Sequence, residues 1–266
     1  MRKYATVFIA EWENQLTYRL NFFLWRFRNI LRVLMTLFLW MGLFRTNAEV
    51  FGFTGSQMIS YVFLVLLVQS FVLSSPSGDH IGGEIGSGEI SNYLVKPISY
   101  IWFWFTRDIS NKVLNLLFAF FEFTLLWAIL KPDLHLQLSG VSVVGFLLSI
   151  IAAVFIYFFL SLSTRFVSFW SPENTWGLSF FTIILVETLS GLIFPLDLLP
   201  DWAFKIIQFT PFPYLVYFPI SIILGRLTGL SLVRILLQSA VWGLILYLLG
   251  KYMWKKGLKT YSAEGK

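Results

Sequence analysis

Two carboxylates, Glu122 and Glu187, fall inside long apolar stretches of this 266-residue sequence. An acid at membrane depth is costly. It marks either a polar lining for a translocation path or proton site, or a hydrogen bond between helices. No second acid neighbours either one, as a proton relay would require, so the interhelical bond is the reading the spacing favours. A second set of chemistry-bearing residues lies in Asp79-His80-Ile81-Gly82-Gly83-Glu84-Ile85-Gly86-Ser87-Gly88-Glu89-Ile90. There Glu84 and Glu89 are either solvated loop acids or part of a docking element for a cytoplasmic partner. Ile85, Ile90 and Leu94 would be its apolar anchors. The i, i+4 spacing of Ile90 and Leu94 suits a short helix laid in a groove.

Much chemistry is absent. There is no cysteine, hence no disulfide, thiolate nucleophile or Cys-ligated metal. The two histidines, His80 and His135, are far apart. The phosphate-cradling pattern G-x-x-x-x-G-K-[ST] does not occur, since Gly250-Lys251 is followed by Tyr252 and Gly265-Lys266 ends the sequence. H-E-x-x-H and G-x-S-x-G are missing too. Gly86-Ser87-Gly88 reads as a flexible loop fragment, and no strand precedes the 82–88 glycines as a dinucleotide loop would need.

The elements that position these residues follow from composition. Hydrophobic residues make up 57%, aromatic residues 19% and charged residues 13%, against about 45–50% apolar and about 25% charged in soluble domains. Mean hydropathy is +0.74. These values describe an integral membrane protein and exclude a cytosolic enzyme, a nucleic-acid binder and a secreted domain. Six stretches reach or approach the roughly 20 apolar residues a spanning helix needs: 29–45, 56–73, 109–130, 141–163, 177–194 and 232–250. In the first, Arg32 must snorkel to the interface, which requires the helix to begin earlier, near Asn21.

With the N-terminus inside, fifteen of the 20 Lys and Arg residues are cytoplasmic, among them Arg26, Arg28, Arg32, Lys96, Arg107, Lys112 and Arg165. The positive-inside rule therefore puts both termini in the cytoplasm. Residues 107–112 read as ordinary interface charges. No cleavable-signal pattern opens the sequence.

Residues 1–20 place Tyr4, Phe8, Trp12 and Leu16 four apart, with Glu11, Glu13 and Arg19 on the polar side, as in an amphipathic helix at the cytoplasmic interface. The domain division expected is 1–28 for this N-terminal helix and 29–266 for the six-helix membrane body. Segment 74–108 opens on the loop signal Ser74-Ser75-Pro76-Ser77-Gly78 and carries a short helix over Glu89–Val95 that stops before Pro97. Segment 195–231 is too broken to span and too apolar for a free loop. It holds Pro195, Pro200, Pro211 and Pro213 beside Trp202 and many other aromatics, which suits short helices dipping into the outer leaflet.

The stretch Gly88-Glu89-Ile90-Ser91-Asn92-Tyr93-Leu94-Val95-Lys96-Pro97 resembles the Gly-Glu-Leu…Leu-Leu-Arg-Pro loop of ABC-2 family transporter permeases. Lys96 stands for the usual Arg, keeping the charge but losing bidentate geometry. Pro219-Ile220-Ser221-Ile222-Ile223-Leu224-Gly225 and the ending Trp254–Gly265 are similar to further segments of that family, in the same order. The resemblance covers nearly the whole sequence. It implies an all-α polytopic fold of six spans, with a coupling helix in the 79–97 loop and extracellular re-entrant helices before the last span.

It also implies the partners: a cytoplasmic ATPase dimer, which would bind ATP and Mg, and a second permease, identical or homologous. The chain itself would bind no cofactor. The residues implied in ATPase coupling are Glu84, Ile85, Gly88, Glu89, Ile90, Leu94, Lys96 and Pro97; Glu122 and Glu187 would line a path. The expected place is the cytoplasmic membrane, the expected activity export of hydrophobic or amphipathic cargo. An ATP-independent secondary transporter predicts coupled acids or inverted repeats, and a lipid-modifying enzyme predicts an interfacial cluster of His, Asp or Glu. The N-terminal pattern of a polysaccharide-exporting permease is not evident.

Overall fold

The computed structural model describes residues 2–17, 19–46, 49–50, 52–75 and 80–261. The loop signal at Pro76–Gly78, Asp79 and the closing Ser262–Gly265 lie outside them. Helix α1 (Arg2–Thr17) is followed by α2 (Arg19–Leu43), a hairpin of two-residue strands, β1 (Glu49–Val50) and β2 (Phe53–Thr54), and α3 (Gly55–Val72). Thr54 caps α3 with a reciprocal box to Gln57. Apolar on every side, α3 is buried on most of its length and forms the middle of the bundle.

Next come α4 (His80–Gly86), α5 (Ser91–Leu94) and α6 (Tyr100–Leu130). The helix expected over Glu89–Val95 is thus shorter, one turn from Ser91 to Leu94. At a rise of about 1.5 Å per residue, the 31 residues of α6 run to about 46 Å. That exceeds a hydrocarbon core of about 30 Å, so the helix carries the bundle past the apolar region toward the 80–97 segment. Helix α7 (Gly140–Phe166) and the last helix, α11 (Gly229–Thr260), pack along each other. Gly243, Gly250 and Gly257 recur every seven residues on α11 and face Ile156, Phe159 and Phe169. A Cβ at Gly257 would meet the Phe169 ring at 2.2 Å, so this stripe sets how closely the two backbones approach.

Between α7 and α11 lie α8 (Thr175–Leu189), α9 (Asp201–Ile207) and α10 (Tyr217–Ile223). The stretch expected to span 177–194 ends its helix at Leu189, for a physical reason. Gly191 turns left-handed at φ +86°, a conformation open to glycine. The carbonyls released are then taken, Ser190 O by the Tyr217 amide at 2.9 Å and Gly191 O by the Tyr61 hydroxyl.

Among the described residues, four helices are long and apolar enough to cross a membrane: α3, α6, α7 and α11. Helix α2 begins at Arg19, well before residue 29, and is long enough but carries Arg26, Arg28 and Arg32. Helix α8 has 15 residues. Both present mostly exposed apolar side chains, such as Phe38 and Leu39 on α2 and Trp176 and Phe181 on α8.

The N-terminal helix departs from its expected polar side. Glu11 is 2% exposed and bonds the Arg107 guanidinium of α6 at 2.6 Å. Trp12 Nε1 donates to Ser110 O at 2.8 Å, and Ser110 Oγ donates to Phe8 O at 2.6 Å. The face bearing Phe8 and Trp12 therefore packs on α6 and takes Glu11 with it, while Leu16 is exposed.

Candidate functional site

The 80–97 segment is folded tightly against the bundle. Gly82 and Gly86, one helical turn apart, form the packed face of α4. A Cβ at Gly82 would lie 2.9 Å from Thr175 Cγ2, and one at Gly86 would lie 3.3 Å from Pro172 Cβ. These glycines serve close approach, which corrects the reading of Gly86 as part of a flexible loop fragment. Gly88, at φ +81°, turns the chain between α4 and α5.

Glu84 is the hub of the segment. Its carboxylate accepts from the Tyr93 hydroxyl at 2.9 Å, the Tyr100 hydroxyl at 2.6 Å and Trp104 Nε1 at 3.3 Å. Burial first, and then the adjacent Glu84 carboxylate, push the Tyr93 hydroxyl up to about 12, so it remains a donor at neutral pH. A single acid thus ties α4 to α5 and to the first turns of α6.

The expected apolar anchors divide. Ile85 is 4% and Ile90 0% exposed, both built into the core. They hold the segment to its own protein, buried rather than laid open as a groove anchor would be. Leu94 is 48% exposed, and the neighbouring Val95, which the sequence reading did not single out, is 85% exposed. Glu89, Lys96 and Pro97 are exposed beside them. Lys96 Nζ lies 5.6 Å from the centre of the Tyr93 ring, and the Pro97 carbonyl accepts from Lys3 of α1. The segment is therefore a rigid base carrying a small mixed apolar and charged tip.

Glu122 and Glu187 both form ion pairs with arginines of α2. Glu122 accepts from Arg26 through Nε at 2.7 Å and through Nη2. Arg26 Nη1 reaches Ser70 Oγ of α3 at 3.2 Å and Asn115 Oδ1 of α6 at 3.4 Å. Arg26 and Glu122 are almost fully buried. Glu122 is thus sealed inside the packing of α2, α3 and α6, and Arg26 is no cytoplasmic surface charge. Glu187 of α8 pairs with Arg32 of α2 at 3.2 Å, each side chain half-exposed. The interhelical bond is the arrangement both acids adopt. A charge in an apolar interior is tolerable when so paired.

The pair at 108 and 112 is a further correction. Asp108 and Lys112 are fully buried and 3.1 Å apart, unlike ordinary interface charges. Lys112 Nζ also donates to the carbonyls of Val72, at 3.0 Å, and Ser74. It satisfies carbonyl groups that the C-terminal end of α3 leaves without helical partners. Sequence reasoning missed it because an i, i+4 Asp–Lys pair looks the same on a wet face and in a core.

The prolines between 195 and 213 frame a packed plug. Pro195, Pro211 and Pro213 are buried, Pro200 and Trp202 exposed. Tyr217 donates its hydroxyl to Asp197, which pairs with Arg226 at 3.2 Å. All seven residues of α10 are buried, packed on α7 and α3. Among the described residues no three His, Cys, Asp or Glu side chains converge as a metal site would need.

The profile of a family described as "ABC-2 family transporter protein" matches residues 30–265. No curated protein matches the sequence. The match runs from within α2 beyond the end of α11, takes in the glutamate-centred segment, both ion-paired acids and the buried plug, and leaves α1 outside. The chain belongs to the ABC-2 family of transporter proteins.

Proposed function

We propose that the chain is the membrane-spanning permease subunit of an ATP-binding-cassette exporter. The observation that carries this reading, beyond family membership, is the 80–97 segment. It presents an exposed Leu94-Val95-Lys96-Pro97 tip on a base immobilised by Glu84. A rigid base transmits displacement, and an exposed apolar pair beside charges suits a protein groove. ATP and Mg would be bound by a separate cytoplasmic ATPase dimer. Closure of that dimer would push on the tip, and the segment would pass the movement to α3 and α6 as rigid-body switching.

In this reading α2 and α8 complete six spans, α1 lies at the cytoplasmic interface, and 195–231 forms re-entrant helices on the outside. Both termini face the cytoplasm, and the protein sits in the cytoplasmic membrane. A second permease, identical or homologous, would complete the path along the interface between the two. With few unpaired charges at depth, the cargo class best suited is hydrophobic or amphipathic. Glu122 and Glu187 are each paired with an arginine rather than with another acid, which argues against an ATP-independent transporter.

The test is capture of tagged protein from detergent after co-expression with neighbouring genes. A cytoplasmic ABC-type ATPase is expected to co-purify and to hydrolyse ATP in the complex. Leu94→Asp and Glu89→Arg are expected to weaken its capture without reducing membrane insertion. If no ATPase associates even after crosslinking, or if both variants capture it normally, the assignment of the tip as a docking element fails.

A further inference from the structure

The 80–97 segment has a third attachment that sequence order does not suggest. Tyr261, the residue following the last turn of α11, extends over α5. Its hydroxyl donates to Gly88 O and accepts from the Ser91 amide at 3.3 Å. The Gly88 carbonyl is a convergence point, also taking Ser91 Oγ at 2.8 Å. The Tyr261 ring packs against Phe169, the same ring that fills the notch at Gly257. One turn earlier on α11, Trp254 stacks on Tyr100 at 5.0 Å and 8°, and Tyr100 is a donor to Glu84. The cytoplasmic end of the last helix therefore grips both the turn at Gly88 and the glutamate hub.

We infer that Tyr261 is a positioning residue that latches the 80–97 segment to α11, so that displacement of the exposed tip is delivered to the last helix together with α6. The inference rests on the permease reading for the origin of the displacement. The hydrogen bonds give it its direction. A base fixed to α6 alone could pivot about α6. A base bonded to α6 through Glu84 and to α11 through Tyr261 must carry both helices with it. The latch is also removable by one atom: Tyr261→Phe keeps the ring on Phe169 and deletes the two hydroxyl bonds.

The test uses the full-length protein in lipid nanodiscs. In hydrogen exchange on the protein alone, Tyr261→Phe is expected to speed exchange over 86–94 roughly threefold to tenfold, the size of one or two net hydrogen bonds. The spans should be unchanged. The natural absence of cysteine allows a unique label pair, Leu117→Cys on α6 and Leu244→Cys on α11, both exposed. Spin-label distances are then measured in the complex with the captured ATPase, with and without ATP and vanadate. With Tyr261 present the two helices should move together and hold their distance. With Tyr261→Phe the distance should change on ATP–vanadate binding while ATPase capture stays within about twofold. Unchanged exchange in the Phe variant, or equal distance changes with and without the hydroxyl, overturns the latch. Failure of the unlabelled wild-type protein to capture any ATPase is a separate result. It sinks the permease reading and with it transmission, while the exchange data still decide whether the latch holds the segment.

Discussion

In the orientation proposed above, the inner segment at 80–97 and the outer segment at 195–228 look alike in sequence, each a broken stretch between long helices, and the bundle treats them differently. Each is organised by one acid that receives tyrosine hydroxyls. On the inner side Glu84 takes Tyr93, Tyr100 and the Trp104 indole, with no cation bonded to it among the described residues. On the outer side Asp197 takes Tyr217 and is paired with Arg226. The outer segment then sinks α10 completely. The inner one buries Ile85 and Ile90 but leaves Leu94 and Val95 in the open. One segment is part of the core; the other uses the core as a mount for an exposed tip.

The largest effect is expected where the outer segment is core. Ile220 is fully buried in α10. Ile220→Asp places an unpaired carboxylate among apolar side chains and should cost about 3–5 kcal/mol. The measurement is the amount of folded protein recovered from membranes. Near-normal recovery would mean that α10 is not core and that the two segments are equivalent.

Next comes the inner hub. Glu84→Ala leaves two hydroxyls and an indole N–H without their acceptor and should cost about 2–3 kcal/mol. Thermal unfolding in detergent should fall accordingly, with exchange rising over 80–97. The matching outer change, Asp197→Ala, removes one hydroxyl bond and an ion pair about one-quarter exposed on each side, so about 1 kcal/mol is expected. If Asp197→Ala proves the more damaging, the outer segment depends on its acid more than on the packing of α10.

The sequence carried the long helices well, because apolar length is a strong signal. It placed α3, α6, α7 and α11 within a few residues, apart from the first turns of α6 and the last turns of α11. Partner identity was hidden. Arg26 and Glu122 are separated by 96 positions and Arg32 and Glu187 by 155, and nothing local joins them. Glu84 was singled out, but its donors at 93, 100 and 104 lie 9, 16 and 20 positions away, and nothing local joins them to it. Gly86 was misread because composition cannot tell a glycine kept for flexibility from one kept for contact. Burial was the least legible quantity of all. In a membrane protein the lipid-facing and core-facing sides of a helix are both apolar, so Ile85, Ile90, Leu94 and Val95 look alike until their exposures are known.

Those four residues supply the smallest expected effect on stability and the sharpest contrast in function. Val95 is 85% exposed and has little packing to lose. Val95→Asp should leave stability within about 0.5 kcal/mol of wild type, as surface changes do. It should nevertheless lower capture of the partner ATPase at least about tenfold, because a charge desolvated in a protein groove costs far more than one in water. Ile90→Asp, five residues away and fully buried, should do the reverse and destabilise the protein before any partner is involved. Thermal unfolding and ATPase capture on the two variants separate mount from tip. If both variants lose stability equally, the tip is packed in the membrane-embedded protein and another surface must meet the ATPase. If both keep stability, Ile90 is not the anchor that holds the segment, and the rigidity assigned to the base has no source at that position.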